Sequence, residues 1–196
     1  SSDQIQAIET ADLAALSVAN MGMMLDPQAG YFSTDQVAAL TTAQVAALRT
    51  GQLSNFSSDQ IAAMTTSEVA ALTRVQVASI TGAQAEGLAT EHVAAISTAN
   101  ISALGTAAIA ALSTDVIESM STAQYRALTS TQLASFGTDQ IVAIETADLA
   151  QLNTVQLRAL GTSAIAALTS DQIEALGTAQ VTGLTVAQVA ALTTDQ

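Results

Sequence analysis

The chain has no cysteine, no lysine and no tryptophan, and only one proline and one histidine among its 196 residues. The missing cysteines exclude a disulfide framework and thiolate-ligated zinc. With no Cys, no Lys and a single His, a conventional activated nucleophile has no partners to draw on, so an enzyme is not expected. Four arginines against 17 acids leave a net charge of −13. That balance argues against nucleic acid and anionic membrane surfaces as partners. No apolar run approaches a membrane span and no secretory leader is visible, so membrane insertion is not expected. Glycine-rich phosphate loops and EF-hand spacings are also missing.

What the chain does have is one eight-residue phrase, repeated from Ser1 to Gln196 without insertion or deletion. Thr41–Leu48 (TTAQVAAL), Thr169–Leu176 (TSDQIEAL) and Gly177–Leu184 (GTAQVTGL) are typical copies. There are 24 complete octads and a half, TTDQ, at 193–196. Position 8 is large and apolar in all 24, and position 5 in all but Ala29 and Ala85. Position 7 is small in 20 octads, position 1 is Ser, Thr, Asn or Gly in 20 of 25, and position 4 is Gln in 16. A repeat this strict fixes the architecture before any motif is considered.

The order apolar, Ser/Thr, two variable residues, Gln, apolar is that of a helix N-terminus. In Leu40–Val45, Thr41 caps, Gln44 returns to the Thr41 N–H, and Leu40 meets Val45 as a hydrophobic staple. Because the signal recurs every eight residues, each helix has room for about two turns. Gly at position 1 (Gly105, Gly137, Gly161, Gly177) suits a tight corner between helices. In octad 4, Asp26-Pro27 is expected to move the start by one residue, with Asp as cap and Pro at the first helical position. One unbroken helix is rejected, since each octad would be rotated by roughly 80° and the apolar stripe would smear around the cylinder. A β-solenoid is the rival, as Thr, Val and Ile suit strands. The Ala and Gln content and the adjacency of positions 7 and 8 stand against it. Helices this short do not survive alone in water, so stability must belong to the array.

The acids suggest how the array is wound. Position 3 is acidic in octads 1, 5, 8, 12, 15, 18, 22 and 25, which makes seven intervals across 24 octads, about 3.4 octads each. Folded on that period, the 17 acids fall in one half-turn, while the four arginines and the outward Val18, Val75, Val155 and Val186 fall in the other. The expected fold is an all-α solenoid of very short helices, one per octad, with roughly 3.4 helices, or about 27 residues, per superhelical turn. At about 8–10 Å between stacked helices, seven turns make a rod roughly 60–70 Å long. Contacts skipping three or four octads would support this winding, and contacts skipping two throughout would sink it. The array is expected to be one continuous domain, 1–196, with an irregular stretch at 17–32 (SVANMGMMLDPQAGYF). That stretch reads as a locally repacked pair of repeats, with a soft methionine-rich binding patch as the alternative.

The individual residues offer little chemistry. His92 stands where Gln usually caps and reads as a substituted cap. The pairs Glu9/Asp12 and Glu145/Asp148 offer oxygens for weak Ca²⁺ binding on the acidic face, but their spacing fits no known loop and solvated acids are the better reading. No cofactor is expected. Val18, Arg74, Val75, Val155 and Val186 form the candidate lateral contact face. Rows of Thr at position 2 raise ice binding, but capping and corner chemistry already explain them.

The phrase LTxxQVxAL, as in Leu40–Leu48, Leu72–Ile80 and Leu184–Leu192, resembles the Ala/Thr/Gln-rich short-repeat arrays of very large secreted or surface-attached bacterial proteins. The resemblance covers nearly the whole chain and carries no catalytic residue. It implies an extracellular or cell-surface structural role, as stalk, surface-layer component or adhesin segment. Ser1–Ile8 is already a standard octad and Gln196 stops mid-repeat, with no polar capping unit at either end. The expectation is a piece of a longer array, or a rod that associates with itself head-to-tail or laterally. The alternative is a solenoid binding module recognising a protein, glycan or cation.

Overall fold

The computed structural model describes all 196 residues as 24 α-helices, one per octad, so helix and octad numbers coincide. They run from α1 (Ser2–Gln6) to α24 (Val186–Ala190) and are four to six residues long. Each is therefore shorter than the two turns an octad has room for, the remaining residues going to the caps and the corner between helices. There is no strand.

Each helix starts at position 2, with position 1 as N-cap in an extended conformation. In the usual box the cap hydroxyl accepts from the position-4 N–H, as Ser33 does from Gln36 at 3.2 Å and Thr41 from Gln44 at 3.2 Å. The Gln side chain answers by accepting the cap's own N–H, at 2.9 Å for Ser33 and 2.8 Å for Thr41. Two donors that a helix start leaves orphaned are thereby satisfied. The chain then turns at position 8, which is extended (Leu48 ψ 134°, Leu112 ψ 138°, Leu160 ψ 131°) after its N–H has bonded the position-5 carbonyl.

Two local expectations are corrected here. No residue has positive φ, glycines included. The position-1 glycines therefore occupy ordinary extended cap positions (Gly105 φ −64°, Gly161 φ −66°), because the corner is made by position 8 and needs no left-handed residue. In octad 4 the start does not move. Leu25 is the cap, Asp26 and Pro27 are the first two helical residues, and Gln28 still accepts the Leu25 N–H at 2.8 Å. The return bond is kept although the cap has no hydroxyl, and the Gln28 N–H bonds the Leu25 carbonyl at 2.9 Å instead, so the octad register survives the proline.

Every helix pair in substantial contact is three octads apart. One series runs α3 (Val18–Met23), α6 (Thr42–Ala47), α9 (Thr66–Ala70), α12 (Thr90–Ala95), α15 (Thr114–Ser119), and two further series interleave with it. Hydrogen bonds from position 4 reach four octads back, as described below. A wrap therefore closes between three and four helices, the interval that the acid spacing indicates.

Positions 5 and 8 line a single continuous core running from Ile5 to Leu176. Full burial of one such side chain contributes about 1.5–3 kcal/mol. Position 7 is small because it lies against the next wrap. A Cβ added at Gly87 would stand 2.1 Å from the Ser58 carbonyl oxygen, and one at Gly183 would stand 2.9 Å from the Thr154 methyl. In both cases position 7 of one octad meets position 2 of the octad three before it. In the irregular stretch, Met21 and Ala29 keep the core position while Met23 and Leu25 face solvent. This is a repacked pair of repeats in unchanged register.

Candidate functional site: the glutamine ladder between wraps

The position-4 glutamines are buried, with exposures of 0–6% from Gln36 to Gln188. Burying a primary amide is costly unless its groups are bonded, and here they all are. Gln132 accepts the Thr129 N–H at 2.8 Å through Oε1, while Nε2 donates to the carbonyls of Ile101 at 2.9 Å and Leu104 at 2.8 Å. Those carbonyls belong to positions 5 and 8 of the octad four repeats earlier. Gln140 does the same to Ile109 and Leu112, Gln76 to Val45 and Leu48, and Gln188 to Leu157 and Leu160. Every position-4 Gln that has an octad four repeats upstream makes this bridge, from Gln36 to Gln196, except Gln60, which keeps the position-8 rung to Phe32 and meets the Gly30 carbonyl at 3.4 Å in place of Ala29. One amide thus caps its own helix and ties two wraps together, using both hydrogens and its oxygen.

The expectation for Gln covered only the cap. A signal for the rest is present in the sequence. A capping box accepts Glu as readily as Gln, yet a protein with 17 acids places one Glu and 16 Gln at position 4. That preference marks a site that needs a donor as well as an acceptor.

The departures show what the site demands. His92 accepts the Ala89 N–H on Nδ1 at 3.1 Å, which leaves the ring proton on Nε2 to donate to the Met64 carbonyl at 2.8 Å. It is a substituted cap, as expected, and a substituted rung as well. Asn100 is one methylene shorter and keeps one rung, to Leu72 at 3.1 Å, without the return bond to its cap. Asp148 accepts the Thr122 hydroxyl at 2.5 Å and has no donor for the Ile117 carbonyl. The Tyr125 hydroxyl supplies that donor instead, at 2.5 Å. Burial pushes the Tyr125 phenol far above its ordinary value, reinforced by Asp148, Glu145 and Glu118. Glu68 accepts the Thr65 N–H on Oε2 at 2.5 Å, while its Oε1 is buried with no partner at all. Burial raises the Glu68 pKa, opposed by the backbone and side-chain hydrogen bonds of Thr65 and by His92.

The proposed lateral face is exposed. Val75 is 68%, Val155 65% and Val186 88% accessible, and Val18 is 44% accessible. Arg74, however, folds back across the wrap gap onto the Ala99 carbonyl and the Ser102 hydroxyl. The other arginines also reach a residue 25 positions away: Arg49 the Met24 carbonyl at 2.6 Å, Arg126 the Gln151 side chain, and Arg158 the Gly183 carbonyl at 2.5 Å. They act as outer clasps between wraps. Arg49 also pairs with Asp26 at 2.6 Å, so the acidic and basic halves meet at that point. Of the acid pairs, Glu145 is exposed while Asp148 is buried against Thr122. No three acids or histidines converge with metal-holding geometry. Two shallow clefts open between wraps on the acidic side, of about 370 Å³ and 310 Å³. Asp59 and Glu86 line one, and Glu118, Glu145 and Asp171 the other.

A family model described as the ALTTAQ repeat matches residues 5–50, 38–74, 87–122, 117–143 and 141–178, which together take in most of the chain. A search of curated proteins finds no match.

Proposed function

This chain belongs to the ALTTAQ repeat family, and from that premise we propose that it is a non-enzymatic structural rod of a cell exterior. In this reading it serves as a stalk, surface-layer or self-assembling filament component. The observation that carries the proposal is where the polar side chains go. The glutamines bond the preceding wrap, the Ser and Thr of position 1 cap helices, and the arginines clasp neighbouring wraps. A chain that commits its chemistry to internal joints is built to hold a length. The acidic, lysine-free surface keeps such a rod soluble and away from nucleic acid and anionic lipid. No helix is long and apolar enough to cross a membrane.

Lateral self-association uses the face carrying Val18, Val75, Val155 and Val186, beside the Arg74 clasp, where exposed valines stand clear of the acids. Negative-stain microscopy with light scattering on the purified chain is the test. Filaments or sheets that disappear in the double variant Val75→Asp, Val155→Asp support the lateral contact. Assembly untouched by those changes contradicts it, and monodisperse rods at all concentrations contradict self-association.

The two acidic clefts favour a second reading, a binding segment for a basic protein, a glycan or a cation. Saturable binding of any of these, reversed by Asp59→Asn with Glu86→Gln or by Glu145→Gln with Asp171→Asn, would establish it over the purely structural one.

A further inference from the structure

Glu68 is the single interruption in the ladder that leaves a buried polar side-chain atom without a partner. The rungs on either side define what it faces. Gln60 bonds the Phe32 carbonyl and Gln76 bonds those of Val45 and Leu48, always 28 or 31 residues upstream. The same register places the carbonyls of Val37 and Leu40 opposite Glu68. Elsewhere this space holds an amide N–H₂, and a carboxylate oxygen there would set lone pairs against lone pairs. Oε2 is already committed to the Thr65 N–H.

We propose that Glu68 is a proton-carrying rung: it is held as the neutral acid, its Oε1–H donates to the carbonyl of Val37 or Leu40, and losing that proton loosens this joint alone. The proton restores what Gln provides, one acceptor for the cap and one donor for the wrap before. Among the helices packed against α9, α6 carries no ionisable residue. The α12 helix carries exposed Glu91 and buried His92, and α5 (Thr34–Ala38), reached by register, carries exposed Asp35. His92 is thus the one buried ionisable neighbour. Its Nδ1 accepts the Ala89 N–H and its Nε2 faces the Met64 carbonyl, so it offers Glu68 no donor. The two substituted rungs lie in helices that pack together.

The sign follows from the raised Glu68 pKa. Stability from this group is complete below the unfolded glutamate value. It is lost as pH rises through the higher folded value. Glu68→Gln, which restores the common residue, removes that dependence. Between the two midpoints its advantage in the folding equilibrium should grow about tenfold per pH unit.

The test is a ¹³C NMR titration of the glutamate carboxyls in the intact chain, alongside denaturant melts of wild type and Glu68→Gln across the same pH range. The expected result is a Glu68 midpoint above those of Glu9, Glu118 and Glu174, with the variant's advantage appearing over that interval. Loosening should be seen as faster exchange of the Thr65 amide and of the Leu40 amide in octad 5, with those of distant octads unchanged. A Glu68 ionised at the ordinary midpoint, or an ion pair with a protonated His92 at neutral pH, would overturn the proposal. So would a pH-independent difference between the two proteins.

Discussion

Octads 12–15 and 16–18 adjoin, share the same fold and differ in that only the second stretch keeps Gln at position 4. In 16–18, Gln124, Gln132 and Gln140 each make a cap bond and two rungs to the earlier wrap. In 12–15, position 4 is His92, Asn100, Ala108 and Val116, and the rungs fall from one apiece for His92 and Asn100 to none. The helices nevertheless form in both stretches, and Ile101, Ile109 and Ile117 are as fully buried as Leu133 and Ile141. Burial of positions 5 and 8 is therefore enough to form a wrap, while the position-4 side chain determines how firmly one wrap is joined to the next. The His92 solution adds that the joint requires an acceptor and a donor at a fixed separation and not an amide as such.

The comparison can be broken from the regular side. Gln132→Ala should cost the most, about 3 kcal/mol, since it orphans the Thr129 N–H and the Leu104 carbonyl and leaves the Ile101 carbonyl with the Leu104 N–H alone. Denaturant melts would show it, with amide exchange loosening around octads 13 and 17. Gly87→Ala comes next, at roughly 2 kcal/mol, because its new Cβ lands on the Ser58 backbone, which cannot swing aside as a side chain could. The irregular side can be mended. Asn100→Gln restores the reach to the Ser97 N–H and to a second carbonyl, that of Val69, and should stabilise by about 1 kcal/mol in the same melts. Tyr125→Phe removes the substitute donor for Ile117 and should cost a similar amount, about 1 kcal/mol, with the core otherwise intact.

The sequence made much of the fold legible. The cap phrase places helix starts at position 2, the apolar positions mark the core, and the spacing of Asp3, Asp35, Asp59 and their successors indicates a wrap between three and four helices. These are local or periodic signals, and an exact repeat amplifies them. The ladder was harder to see, because a bond spanning 28 or 31 residues leaves no local trace beyond the choice of Gln over Glu. The arginines misled for a related reason. An exposed guanidinium with carbonyls one wrap away folds onto them, so Arg74, which the sequence offers as a lateral contact, serves as a clasp. Octad 4 shows the opposite failure, in which Asp26-Pro27 suggests a shifted start that the Gln28 return bond overrules.

The central claim is that glutamine amides join each wrap to octads four repeats earlier. Its most direct test is solution NMR of the glutamine side-chain amides. The account predicts slow exchange for Gln36, Gln76, Gln132 and Gln188, with Overhauser contacts from the Gln132 amide to octad 13, and fast exchange for Gln4, Gln6 and Gln151. Uniformly fast exchange, or contacts from Gln132 to octad 15 in place of octad 13, would contradict it.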